Sequence, residues 1–132
     1  MGAAVVVAAN NSSGRVVLHA AIAILVGAGG WGVAEAILGG EPWNYTSYWV
    51  VVYPLMLVVS LILGWHNDRA PWVWGLVIGL AQCFWALHDL HDQAVVLPVS
   101  IALFLVLTVP FMFASVIGAR IHRRSNKETP VA

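Results

Sequence analysis

Runs of apolar residues long enough to cross a bilayer recur four times along the chain, each closed by a cluster of turn-forming or charged positions. The first run occupies 16–38 and ends at Gly39-Gly40-Glu41-Pro42, which cannot continue a helix. The second, 46–65, stops at His66-Asn67-Asp68-Arg69-Ala70-Pro71. The third begins at Trp72, and its strictly apolar part ends at Leu87, about 24 Å of helix at the usual rise. A hydrocarbon core is ~30 Å thick, so this span is extended to residue 91, with His88 and Asp89 at interfacial depth. The fourth covers 95–118. All are too uniformly apolar for helices lying on a surface. The pattern predicts an all-α integral membrane protein whose domain, 16–118, is a bundle of four transmembrane helices. Residues 1–15 form a loose N-terminal tail, with no basic stretch that would mark a cleaved signal, and 119–132 form a basic C-terminal tail.

Composition agrees with this reading. Apolar residues make up 61% of the chain and charged residues 9%, and the mean hydropathy is +0.85. A soluble domain carries about 25% charged residues to wet its surface. Zero net charge leaves no broad basic surface for nucleic acid. The lone Cys83 has no intrachain disulfide partner and belongs to no Cys-rich zinc motif.

Charge also gives the orientation. With four spans, Arg15, Arg69, Arg120, Arg123, Arg124 and Lys127 all fall on one side, while the loops around Glu41 and Asp92 carry no Lys or Arg. The positive-inside rule makes the basic side cytoplasmic. Both termini are then cytoplasmic, in a multi-pass protein of the inner (plasma) membrane. Trp43, Tyr45, Tyr48 and Trp49 form the outer aromatic belt expected of such a protein, and Trp65, Trp72 and Trp74 the inner one. Pro54 and Pro110 lie inside spans, where each removes a backbone donor and kinks the helix without breaking it.

Helical spacing selects inward faces. Gly75, Gly79, Gln82, Ala86 and Asp89 share one arc of span three, opposite Leu76, Val77, Leu80, Phe84 and Leu87. The Gly75–Gly79 step permits close helix approach. On span one, Ala21, Ala28, Gly32, Glu35 and Gly39 share a face with Trp31 at its edge, and His19 projects roughly opposite, toward headgroups. The helix-packing residues are thus Gly32, Gly75, Gly79 and Gln82.

Candidate chemistry lies toward the outer end. Glu35 is a carboxylate within an apolar span, suited to holding a proton or cation, or to fixing helix register by a hydrogen bond. His88, Asp89, His91 and Asp92 have the three- and four-residue spacings of metal ligands on a helix. The same residues also solvate a helix end. If spans one and three touch through their glycine faces, Glu35 and Asp89 form an ion or proton site. No phosphate loop or nucleophile motif accompanies them.

Glu41-Pro42-Trp43-Asn44, Tyr53-Pro54-Leu55-Met56, Ala70-Pro71-Trp72-Val73-Trp74-Gly75 and Leu97-Pro98 carry a resemblance. Through them the chain resembles the small uncharacterised four-span membrane proteins of bacterial genomes, over most of its length. The resemblance implies no activity.

Minimal loops leave no soluble domain to hold a substrate. The leading expectation is therefore a non-catalytic accessory or interaction subunit without cofactor, with the lipid bilayer and a homo-oligomer or larger membrane complex as partners. The alternative is an oligomeric transporter or channel for protons or a divalent cation using Glu35 and Asp89. A third is an intramembrane metalloenzyme with a divalent metal at the His/Asp cluster.

Overall fold

Gly39 takes a left-handed backbone (φ 75°), and its N–H closes on the Glu35 carbonyl at 2.9 Å, ending α1 (Gly2–Leu38) with a glycine stop. The computed structural model describes residues 2–67, 69–89 and 97–127, with 2–12 and 89 described by backbone alone. A 3-10 turn at Pro42–Asn44 follows α1. A π-helical turn at Tyr48–Val52 then leads into α2 (Tyr53–His66), and α3 (Trp72–Asp89) and α4 (Leu97–Lys127) complete the order. The described residues contain no strand, and the chain folds as an all-α bundle. Helical backbone starts at Gly2, so the segment expected as a loose tail continues α1.

Ser13–Leu38, Tyr48–His66 and Leu97–Lys127 are long and apolar enough to cross a membrane, and Trp72–His88 is apolar but shorter. Residues 95 and 96 at the expected start of the fourth span, and His91 and Asp92 of the outer cluster, lie outside the described residues.

The glycines set the register between helices. α1 and α3 run parallel, Gly27 lying against Ile78 and Ala81, and Gly32 against the Trp85 indole. α3 and α4 are antiparallel, Gly75 meeting the Phe111 main chain and Gly79 the Thr108 side chain. α2 and α4 are parallel, and there a Cβ on Gly64 would strike the Ser115 carbonyl, and one on Gly118 the Leu61 carbonyl. These are main-chain contacts that only glycine permits.

This up-and-down order gathers the basic residues at one end. Arg15 lies one turn before His19, whose ring stands 5.6 Å from Trp74 and 6.3 Å from His66, while Trp65 meets His122 at 5.6 Å. Glu35, Glu41 and His88 lie at the other end. Two apolar clusters fill the interior between them. Ala23, Met56, Leu63, Trp74, Ile78 and Phe111 form the one nearer the basic end, and Trp31, Ala34, Tyr48, Cys83, Ala86 and Phe104 the other.

Hydroxyls from α2 serve the α4 backbone around Pro110. Proline cannot donate to the carbonyl four residues back. Tyr53 donates to the Leu107 carbonyl at 2.9 Å and Ser60 to that of Phe111 at 2.7 Å, tying α2 to α4 on either side of Pro110, and α4 runs continuously through the proline. Pro54 acts differently: its ring crowds the carbonyl four residues back, at Val50, and the turn at Tyr48–Val52 opens to π geometry.

Three expectations about faces are corrected. On α1 the buried stripe is Ala23, Gly27, Trp31 and Ala34, while Ala21 is exposed, because the Trp31 indole needs the aromatic interior and Gly27 makes the closest approach to α3. Tyr48 and Trp74 are buried core residues rather than belt residues: Tyr48 joins the ring cluster with Trp31, and Trp74 packs with Ile78 and Phe111. His19 points inward, half-buried against Trp74, where its ring gains a stacking partner.

Candidate functional site

Gly32 opposite Trp85 fixes what lies one turn further along the parallel α1–α3 pair. Three residues on from each, Glu35 and His88 line the same cleft, with Phe84 and Trp85 as its apolar wall and a volume of about 360 Å³. Glu35 is half-buried and His88 exposed, so the cleft opens from the carboxylate toward the helix end. A carboxylate beside an imidazole can share a proton or hold a cation between an oxygen and a nitrogen ligand.

The other members of the predicted cluster divide. Asp89 closes the α3 backbone, and His91 and Asp92 lie outside the described residues. Among the described residues no three His, Cys, Asp or Glu side chains converge as a metal-binding group. His66 stands at the opposite end of the bundle, its Nδ1 2.9 Å from the Ile62 carbonyl.

Behind the cleft is a buried polar pair absent from the sequence reading. Gln82 donates from Nε2 to the Tyr48 hydroxyl, and both side chains are fully enclosed. Trp31 packs edge-on against Tyr48 at 5.4 Å and against Phe104 at 5.3 Å, so the pair is walled by rings. Gln82 Oε1 has no hydrogen-bond partner among the described residues. A buried amide left half satisfied is costly in an apolar setting. Gly75, Gly79, Gln82 and Ala86 are all buried on α3, and Leu80 and Phe84 are exposed.

The loop after α1 is organised by one acid. Glu41 Oε2 accepts from Trp43 Nε1 at 2.7 Å and from Asn44 Nδ2 at 3.2 Å, and Trp49 Nε1 donates to the Trp43 carbonyl at 2.8 Å. Indole and amide donors two and three residues after an acid were the available signal, and their spacing alone does not distinguish a loop hub from solvated side chains.

No family model, curated protein or solved structure matches this chain.

Proposed function

We propose that this protein crosses the inner membrane four times with both termini in the cytoplasm, and that it serves there as a non-catalytic accessory or interaction subunit. One observation carries the reading: the interior is filled with side chains while the outside stays apolar. Leu25 (70%), Ile37 (77%) and Phe84 (75%) are largely exposed on the bundle surface, as lipid-facing side chains are. Such a body presents a surface for lipid or another helix.

The four-span assignment draws on two further points. Basic residues collect at one end of the bundle, which the positive-inside rule turns to the cytoplasm. The shorter Trp72–His88 helix spans roughly 26 Å, and local thinning of the bilayer with His88 at the interface covers the difference.

A second reading is favoured by the shared cleft of Glu35 and His88. It makes the protein an oligomeric carrier of protons or a divalent cation, with the cleft as its entry. Purified protein in vesicles separates the two. The accessory reading expects proton and Mn²⁺ flux equal to that of empty vesicles, together with a stoichiometric partner or self-association in mild detergent. Flux that disappears in Glu35→Gln would replace it with the carrier reading.

A further inference from the structure

An apolar groove of about 330 Å³ lies between Trp72, the first residue of α3, and the middle turns of α4, with Arg120 at one end of it. Val109, Phe113, Val116 and Arg120 line it at helical spacing along one face of α4, and Trp72 forms the facing wall. Phe113 is 64% exposed and Trp72 45%, so this face belongs to the outside of the bundle. Val109 to Arg120 covers roughly 16 Å of helix rise, close to half the ~30 Å hydrocarbon thickness. The groove is therefore one leaflet long. Arg120 is exposed, so its guanidinium can meet an anion at the groove mouth.

We propose that this groove binds one anionic phospholipid of the cytoplasmic leaflet. An acyl chain lies along Val109, Phe113 and Val116, the phosphate meets Arg120, and the Trp72 indole sits at headgroup depth. The guanidinium fork suits phosphate oxygens. A zwitterionic lipid already carries a cation next to its phosphate, whereas phosphatidylglycerol does not, so the charge of the site selects the anionic lipid. The site rests on the orientation proposed above, in which the basic end is cytoplasmic.

Native mass spectrometry of the full chain, equilibrated in mixed phosphatidylglycerol and phosphatidylcholine micelles, tests this. Wild type should retain one phosphatidylglycerol in preference to phosphatidylcholine. Arg120→Ala, a change at an exposed position, should lower that preference about five-fold, the usual effect of one basic residue at an anionic surface. Val116→Trp should fill the groove and lose the retained lipid. Arg15→Ala, at the same end but outside the groove, should behave as wild type. Equal retention of both lipids, an equal loss in Arg15→Ala and Arg120→Ala, or displacement of the lipid by inorganic phosphate would each overturn the site. Reporter fusions after residues 68 and 132 read the orientation separately. An outside signal there, with lipid selectivity intact, would remove the cytoplasmic assignment and leave the groove standing.

Discussion

Gly64 on α2 and Gly118 on α4 make a reciprocal contact, each lying against the main chain of the other helix. Gly64 meets Ser115, three residues before Gly118, and Gly118 meets Leu61, three residues before Gly64. The crossing is symmetric over a single turn, and the Ser60 and Ser115 hydroxyls lie 3.0 Å apart beside it. Gly64→Ala or Gly118→Ala should cost about 1–3 kcal/mol, since the added methyl meets rigid backbone. Gly29→Ala, with nothing within 4 Å of the new carbon, should melt as wild type in detergent. Three equal melting temperatures would dismiss the crossing as a determinant of stability.

The α3–α4 contact gives a parallel test. Gly75→Leu and Gly79→Leu should each separate the helices and lower the melting temperature, by at least the ~1–3 kcal/mol typical of overpacking. Leu80→Val, at an exposed position of the same helix, should change it by under about 0.5 kcal/mol. The comparison is a thermal melt of the three variants in one detergent.

Ser60 takes part in three polar contacts. It donates to the Phe111 carbonyl at 2.7 Å, neighbours the Ser115 hydroxyl, and its own carbonyl accepts from Ser115 at 2.8 Å. Ser60→Ala and Ser115→Ala should each destabilise by roughly 0.6–1.7 kcal/mol. The double variant should cost less than the sum, because the two hydroxyls share partners. Strict additivity in a double-mutant cycle would mean that the hydroxyls act independently.

Orientation is checked by reporter fusions after residues 40, 68, 93 and 132, expected to read outside, inside, outside and inside. A cytoplasmic signal at 40 or 93 is incompatible with four spans.

The Glu35–His88 cleft is assayed by metal-dependent melting. The accessory reading expects no change in melting temperature with Zn²⁺ or Mn²⁺ at pH 7.5. A cation site would instead show a rise, by mass action on the folded state. That rise should shrink at pH 5.5, because the imidazole binds metal only when neutral and acid protonates it. His88→Ala should then abolish the rise and Glu35→Gln weaken it, whereas His66→Ala at the other end should leave it intact. Calorimetric binding with that pattern would favour the carrier reading over the accessory one.

Helix number and type among the described residues could be read from hydropathy, because each helix is a nearly unbroken apolar run closed by Gly, Pro or charge. Where the faces of α1 lie could not. Its apolar residues surround the helix, so small residues at 21, 28 and 32 indicated a face as well as 23, 27 and 34 did. Only packing of Trp31 against Tyr48 and Phe104 distinguishes them. The Gly64–Gly118 contact was hidden for a related reason: each glycine stands alone on its helix face, without the four-residue repeat that drew notice to Gly75 and Gly79. Glu35 and His88 were visible as polar positions near one depth, but their common cleft depends on the parallel α1–α3 register, which no local pattern encodes. The Gln82–Tyr48 pair required both burial and that register to come together.

The π-helical turn at Tyr48–Val52 contains one residue more than an α-turn would, and this makes the segment a place where chain length can vary. Deleting Val50 would remove that extra residue and let the turn relax to α geometry, with the residues on either side keeping their faces. Ser60 and Gly64 lie beyond the turn and would keep their seating on α4. Tyr48, before it, would keep the face that meets Gln82. A one-residue deletion that elsewhere in a membrane helix would rotate one side against the other by about 100° is absorbed here by the turn. Related chains could therefore differ by one residue at this point and keep both the aromatic end and the α2–α4 frame.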